Sequence, residues 1–165
     1  MSRSPYLSSA PSVSVIMVKV MLALIPAIAA YVWVYGAGIL VTLALASTTA
    51  LAAEALMLKL RNRPIKPFLM DGSALLTAWL LALSLPPLAP WWLVVVGTLF
   101  AIVIAKHLYG GLGYNPFNPA MVGYAVLLIS FPVIMTHWPA PLELAQAKLS
   151  FAEQYQFIFG ASLPN

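Results

Sequence analysis

The chain has 165 residues, of which 62% are hydrophobic and only 7% are charged, whereas about a quarter of the residues in a soluble domain carry charge. A water-soluble core cannot accommodate so much apolar surface. At about 20 residues per span, the chain has room for roughly five membrane helices and no separate soluble domain. The net charge of +4 does not indicate a nucleic-acid partner, because the basic residues flank apolar segments and form no stripe with exposed aromatic residues. Cys is absent, which excludes disulfides and any iron–sulfur centre held by this chain's own Cys residues.

The first two apolar segments predict a membrane hairpin. The first runs from about 15 to 35, and the Gly36-Ala37-Gly38 sequence predicts a turn before a second span from about 39 to 58. The loop that follows, 59–66, carries four of the eight basic residues. The positive-inside rule therefore places this loop and the N-terminus in the cytoplasm, and predicts a multi-pass membrane protein.

The third apolar run, 74–85, is too short for an ordinary span, because it meets the proline-rich sequence 86–90 after only 12 residues. It predicts a short or tilted span, or a re-entrant half-helix. Asp71 and Ser73 are residue types that cap the N-terminus of a helix.

A fourth span is predicted from Trp91 to Ala105, ending at Lys106, and a fifth from Ala120 to Met135. The predicted fold is an all-α integral membrane protein, a bundle of about five transmembrane helices with one short or broken helix. Residues 1–14 form a predicted cytoplasmic segment, 15–136 the transmembrane domain, and 137–165 an external, periplasmic tail.

Glu54 is the candidate residue for an ion pathway. It lies within the second span, where a carboxylate is costly and must face protein or water. Thr48, with its neighbours Ser47 and Thr49, precedes it on the same helix and could line a polar path or simply let helices pack closely. The alternative for Glu54 is a salt bridge with Lys59 or Arg61 near the interface.

The loop between the fourth and fifth spans is the candidate ligand site. Gly110, Gly111 and Gly113 permit backbone conformations that other residues rarely adopt, and allow close approach of a flat ligand. Asn115 and Asn118 offer the amide donors and acceptors that match the edge of a uracil-like or isoalloxazine ring. If Pro116 begins a helical turn, both amides lie on one face. Asn-Pro pairs also serve as plain caps and turns.

The two histidines predict no metal site. His107 and His137 are expected on opposite sides of the membrane, and neither has a partner at metal-binding spacing. His107, next to Lys106, is predicted to be an interfacial residue.

Three stretches of the chain resemble a known family, the D subunit of the Rnf (Rsx) electron-transport complex, which is related to the B subunit of the sodium-translocating NADH:quinone oxidoreductase. They are Asp71-Gly-Ser-Ala-Leu-Leu-Thr77, the sequence from Leu83 to Trp92, and above all the sequence from Ala105 to Pro132. The resemblance extends over nearly the whole chain from Ser4 onward.

The resemblance implies a membrane flavoprotein subunit that passes electrons between ferredoxin and NAD(H), coupled to Na⁺ or H⁺ translocation. It implies partner subunits of the Rnf complex, and a non-covalent riboflavin at an Asn-x-x-Asn pair that corresponds to Asn115 and Asn118. An intramembrane glutamate linked to cation passage falls near Glu54. The family's covalent FMN is attached to a Thr that has no match here, since neither Thr136 nor the sequence 160–163 fits its motif.

This departure implies that the chain corresponds to the N-terminal half of the family. Two other functions remain open on the residues alone. The first is a secondary transporter or channel subunit, for which a broken helix and Gly/Pro-rich backbone are equally typical. The second is a non-redox scaffold for other membrane subunits.

Overall fold

The computed structural model describes residues 12–142, 144 and 149–160. These residues form helices, turns and loops, and no strand occurs among them, so the predicted all-α membrane bundle is confirmed. The helices are α1 (Val13–Tyr35), α2 (Gly38–Leu60), α3 (Ile65–Leu69), α4 (Ser73–Ser84), α5 (Trp91–Leu99, continuing as a π-helix over Phe100–His107), α6 (Pro119–Ser130), α7 (Pro132–Thr136) and α8 (Phe151–Phe159). Residues 1–11, which make up most of the predicted N-terminal segment, lie outside the described part. So do residues 161–165, which include most of the sequence 160–163 that was compared with the flavin-attachment motif.

Three segments of the described chain are long and apolar enough to cross a membrane: Val13–Tyr35, Gly38–Leu60 and Ile65–Ser84, the last interrupted by a turn at 70–72. Trp91–His107 and Pro119–Ser130 are shorter apolar helices. Together they account for the five predicted spans.

The bundle has two distinct ends. We call the end that carries the loop 61–64 and the glycine-rich loop 108–118 the basic end. The opposite end carries the turn at Gly36, the proline-rich sequence 86–90 and α8. Because α2 contacts α1, α4, α5, the π-helix and α8, it is the central helix of the bundle.

Helix α4 by itself is shorter than the hydrocarbon core of a bilayer. Its 12 residues extend about 18 Å at 1.5 Å per residue, against about 30 Å of hydrocarbon. The proline-rich sequence 86–90 that follows it is buried, and the Leu85 carbonyl accepts a hydrogen bond from Tyr31 Oη at 2.9 Å. Non-helical backbone is tolerated at membrane depth when it is enclosed by protein in this way.

The predicted cap of α4 needs a correction in detail. Gly72, with φ of 80°, occupies the N-cap position and Ser73 is the first helical residue. Asp71 Oδ1 accepts hydrogen bonds from the Ser73 backbone N–H at 2.7 Å and from Ser73 Oγ at 2.6 Å. Asp71 therefore caps the helix from the residue before the N-cap.

The fifth predicted span is broken rather than continuous. Phe131, with φ of −133° and ψ of 53°, separates α6 from α7. Pro132 explains the break, because a proline disfavours the α conformation in the residue before it.

Helices α5 and α6 cross at two glycines. A Cβ atom on Gly123 would lie 2.6 Å from the Gly97 carbonyl oxygen, and one on Gly97 would lie 2.5 Å from Leu127 Cδ1. The absence of side chains at these two positions allows the backbones to approach closely, as at many membrane helix interfaces.

The predicted external tail contains a helix that the sequence interpretation missed. Helix α8 begins with a capping box in which Ser150 and Glu153 bond each other's backbone N–H groups. Gln154 is buried, and its Oε1 accepts a 2.7 Å hydrogen bond from the Gly38 backbone N–H. Gln154 thereby attaches α8 to the start of α2.

Candidate functional site

A buried ion pair joins α2 to the π-helix near the basic end. Lys106 Nζ lies 2.8 Å from both carboxylate oxygens of Glu54 and 2.8 Å from Ser73 Oγ. Lys106 and Glu54 are each only 2% exposed. The alternative considered for Glu54, a pair with Lys59 or Arg61, is wrong in its partner, although Glu54 does form a salt bridge.

His107 is part of the same cluster, and its interfacial position stays a prediction. It is 4% exposed, and its Nε2 lies 3.0 Å from Glu54 Oε2. That contact does not have hydrogen-bond geometry, and neither ring nitrogen has a hydrogen-bond partner within the described residues. The distance is nevertheless that of a salt bridge, so a protonated imidazole would form a second ion pair with Glu54.

Lys106 and His107 are the last two residues of the π-helix, and both are buried. Its eight residues turn more widely than an α-helix, and such segments are often found at functional sites. Both consecutive side chains are buried against the rest of the bundle. In the sequence, Lys106 marks the end of an apolar run, which is also where interfacial lysines occur.

The polar contacts continue from Lys106 to the start of α4. Ser73 Oγ accepts from Lys106 and donates to Asp71. A chain of hydrogen bonds therefore runs from Asp71 through Ser73 and Lys106 to Glu54. Asp71 was expected to act only as a cap, but it also anchors this network.

A cavity of about 380 Å³ opens beside Glu54 at the basic end, and we call it the basic cavity. Its volume lies within the usual range for ligand pockets, about 300–1,000 Å³. Arg61 and Arg63 line it together with Glu54 and Asp71, so its formal charges balance when His107 is neutral. Its lining residues are Glu54, Leu58, Arg61, Arg63, Phe68, Asp71, His107, Gly110, Gly111, Leu112 and Tyr114.

A second cavity of about 240 Å³ lies on the other side of Lys106, and we call it the asparagine cavity. Asn115 and Asn118 both line it, together with Lys106 and Ser73. The remaining lining residues are Met17, Leu76, Thr77, Leu80, Leu112 and Pro119. The Lys106–Glu54 pair therefore lies between the two cavities.

The two asparagines combine a structural role with free polar atoms. Asn118 is the N-cap of α6 and accepts from the Ala120 N–H at 2.9 Å, while Asn115 Nδ2 donates to the Phe117 carbonyl at 2.8 Å. Among the described residues, Asn115 Oδ1 and Asn118 Nδ2 make no hydrogen bond. One acceptor and one donor thus remain for a ligand.

The predicted helical turn at Pro116 is wrong. Pro116 lies in a bend, and Pro119 takes the first position of α6. Both asparagines nevertheless line one cavity, and the backbone between them forms a bend in place of the predicted helical turn.

The three predicted glycines do not share a cavity with the asparagines. Gly110 and Gly111 line the basic cavity, and Gly113 lines neither of the two. All three have positive φ, at 112°, 102° and 87°, a conformation that favours glycine. Their expected backbone freedom is confirmed, while their contact with a ligand stays a prediction.

The structure does not bring Thr48 to Glu54. Thr48 is exposed on the side of α2, where its hydroxyl donates to the carbonyls of Ala44 and Leu45 at 3.0 Å. Ser47 Oγ accepts a bond from Trp79 Nε1 at 3.2 Å, which is the packing role considered as the alternative. A place for Thr48 in an ion pathway stays a prediction.

No group of three or more His, Asp or Glu side chains suited to a metal occurs in the part of the chain that the structure describes. The residues that the sequence interpretation missed are Lys106, Ser73, Asp71 and His107. One signal could have found Lys106: a buried carboxylate requires a partner, and basic residues at the ends of other spans are the available ones.

Comparison with known proteins identifies the family. Residues 1–162 match the model of the NQR2, RnfD, RnfE family. Three proteins, each named as the D subunit of an ion-translocating oxidoreductase complex, are similar to the chain: one from Escherichia fergusonii (60% identity, 94% of this chain, 44% of the relative), one from Shigella dysenteriae (59%, 94% and 44%) and one from Escherichia coli (57%, 97% and 46%). The chain thus spans less than half the length of the curated relatives it matches. It belongs to the NQR2, RnfD, RnfE family.

Proposed function

We propose that the chain forms the flavin-holding part of a membrane subunit in an ion-translocating electron-transport complex. The complex passes electrons between ferredoxin and NAD(H) and couples them to Na⁺ or H⁺ translocation. One observation carries the proposal: the asparagine cavity, with a free amide acceptor and donor, adjoins the buried Lys106–Glu54 pair. The names of the relatives, subunits of an ion-translocating oxidoreductase complex, support it.

The residues of the asparagine cavity fit one edge of a non-covalent riboflavin. Asn115 Oδ1 and Asn118 Nδ2 match a ring edge that has both a donor and an acceptor, and Lys106 supplies positive charge beside it. The cavity volume of about 240 Å³ is below that of most complete ligand pockets. The remainder of the ligand would contact other protein or lipid. When bound, the flavin supplies the electron transfer, and the protein positions the ring and tunes its potential.

Glu54 is the residue that we assign to the ion pathway. It lies in the central helix, within the membrane, and it lines the basic cavity. Ionisable residues in this position generally mark ion or proton routes. Gly110 and Gly111 shape the same cavity from the loop side.

We further propose that the protein lies in the bacterial inner membrane with its N-terminus and basic end in the cytoplasm. The four basic residues of the loop 59–66 support this orientation. Helix α1 has no buried residue, so its apolar surface is available to lipid and to the partner subunits of the complex. The basic cavity would then face the compartment of the soluble electron donors.

The flavin assignment is tested by the double variant Asn115→Ala/Asn118→Ser. Serine retains the N-cap of α6 but removes the amide donor, while alanine removes the free acceptor. Flavin released by acid from the full-length purified protein should fall after dialysis to equilibrium against flavin-free buffer, because loss of 1.4 kcal/mol of binding energy weakens affinity about tenfold. Gln156→Ala, which removes an exposed amide at the opposite end, is the matched control.

Unchanged acid-released flavin in the double variant would contradict the site. Wild-type protein that assembles with its partners but contains no such flavin would favour the scaffold function. Substrate uptake by liposomes without an electron donor would favour the transporter function, which the short α4 and its buried proline-rich connection also suit.

A further inference from the structure

Two arginines line the basic cavity from the turn that ends α2. Arg61 is the C-cap residue of the helix, and Asn62 after it has a φ of 51°, a left-handed conformation in which asparagine is enriched. The Arg63 backbone N–H donates to the Leu58 carbonyl at 2.9 Å, as in the Schellman motif at helix ends. Arg61 and Arg63 therefore flank a hydrogen-bonded turn, and both line one cavity.

Both guanidinium groups keep donors for a ligand. A guanidinium has five N–H donors. Within the described residues, the Arg61 group donates only from Nη1 to the His107 carbonyl, at 3.3 Å, and the Arg63 group makes no hydrogen bond. Neither arginine forms a salt bridge with a carboxylate of the described chain. The two groups thus lie at the cavity with most of their donors available.

The charges around the cavity leave one positive charge uncompensated when His107 is neutral. Lys106 neutralises Glu54, because its Nζ bonds both carboxylate oxygens. The carboxylate of Asp71, which also lines the cavity, balances one of the two arginines. A group with a single negative charge would balance the other.

Apolar side chains also line the cavity. Phe68 and Leu112 are 40% and 38% exposed, and Leu58 is buried. Phe68 belongs to α3, where Ile65 and the adjacent Met70 are exposed as well. Apolar side chains next to basic ones are typical of protein surfaces that contact the head-group region of a membrane. The lining therefore favours an anion that carries an apolar part.

We propose that Arg61 and Arg63 bind the phosphate group of a phospholipid with one net negative charge, such as phosphatidylglycerol, in the outer part of the basic cavity. Arginine binds phosphate oxygens through paired, charge-assisted hydrogen bonds, and basic pockets between membrane helices bind anionic lipid head groups. Phe68 and Leu112 contact the apolar part of the lipid. The site is separate from the asparagine cavity, to which the flavin is assigned.

The test is a lipid titration of the full-length purified protein in detergent, followed by native mass spectrometry. Arg61→Gln/Arg63→Gln should bind phosphatidylglycerol at least about tenfold more weakly than wild type, because a hydrogen bond to a charged group contributes about tenfold or more to an equilibrium constant. Phosphatidylcholine, which has the phosphate group but no net charge, should bind both proteins weakly and alike. If the double variant does not fold, Arg63→Gln replaces it, since that change removes no hydrogen bond within the described residues.

Lys59→Gln/Lys66→Gln is the matched control. It removes two positive charges from the same loop, but neither lysine lines the basic cavity. Its affinity for phosphatidylglycerol should therefore fall much less than that of the arginine variant. Equal losses in the two variants would overturn the site, because they would reflect general charge attraction alone. An unchanged affinity in the arginine variant would overturn it as well.

Inorganic phosphate and glycerol 3-phosphate supply the same chemical group without acyl chains. At equal concentration, neither should displace phosphatidylglycerol from wild type, because neither contacts Phe68 and Leu112 as a lipid would. Displacement by either would indicate a site for a soluble phosphate and overturn the lipid assignment. None of these measurements depends on flavin content, so failure here is distinguishable from failure of the flavin assignment.

Discussion

Lys106 Nζ and the carboxylate of Glu54 lie 2.8 Å apart within the membrane bundle, and both side chains are almost completely buried. The pair links the central helix α2 to the π-helix and separates the basic cavity from the asparagine cavity. A buried ion pair of this kind is weak evidence for a stabilising role, because desolvation of the two charges can cost as much free energy as their attraction contributes. Its place between two cavities favours a functional role.

The pair should show strong non-additivity in stability. Glu54→Gln or Lys106→Met alone leaves one buried charge without its partner and should destabilise the protein by about 3–5 kcal/mol. The double variant removes both charges and should recover most of that loss. Denaturant unfolding in mixed micelles gives the comparison, with the exposed residue change Lys59→Met as the control expected within about 0.5 kcal/mol of wild type. Additive losses in the double variant would contradict the coupling.

Gly123 should tolerate no side chain. Gly123→Ala places a Cβ atom against the Gly97 carbonyl, so α5 and α6 must separate, at a cost of about 1–3 kcal/mol for overpacking. Thermal unfolding in detergent measures the change. Met121→Ala, on the exposed face of the same helix, is the control and should have little effect. Equal stabilities of the two variants would show that the glycine contact is not needed.

Gln154 should hold α8 against the bundle. Gln154→Ala removes the acceptor of the Gly38 N–H and the donor to the Leu149 carbonyl, so amide exchange across Phe151–Phe159 should accelerate. Gln156→Ala changes the same residue type on the exposed face of α8 and should leave exchange unchanged. If both variants exchange alike, Gln154 is not the anchor.

The start of α8 should loosen in acid. Hydrogen bonds from the Ser150 hydroxyl and backbone N–H lower the pKa of Glu153. A carboxyl whose pKa is lower in the folded state stabilises that state fully above its unfolded pKa, about 4.3, and loses this contribution as pH falls through the folded value. Amide exchange of α8 should therefore show reduced protection below that range. Ser150→Ala, lacking the side-chain bond, should show a smaller dependence on pH, and an equal dependence would contradict the assignment.

The sequence was sufficient to predict the membrane class, the short α4 and that Glu54 faces protein. Each follows from a local quantity, such as apolar length or a carboxylate within an apolar segment. The partner of Glu54 could not be predicted in the same way. Whether Lys106 faces the interface or the bundle depends on how its helix packs against α2, which residue type alone does not determine.

The loop that carries Asn115 and Asn118 also shows that residue types can be chosen from the sequence while the local backbone conformation cannot. Asn115 and Asn118 were chosen for their amides, and both do line one cavity. The expected helical turn failed because Asn118 caps α6 and leaves Pro119, not Pro116, at the first helical position. Helix α8 was missed although Ser150 and Glu153 have the spacing of a capping box, a signal that the sequence does contain.

The most direct test of a link between electron transfer and Glu54 is the number of ions moved per electron. Sealed vesicles that contain the whole complex would be supplied with reduced ferredoxin and NAD⁺, and ion uptake and NADH formation followed together. In Glu54→Gln/Lys106→Met, in which no buried charge is left unpaired, electron transfer should continue while ion uptake per electron is lost. An unchanged ratio in that double variant would contradict an ion pathway through Glu54.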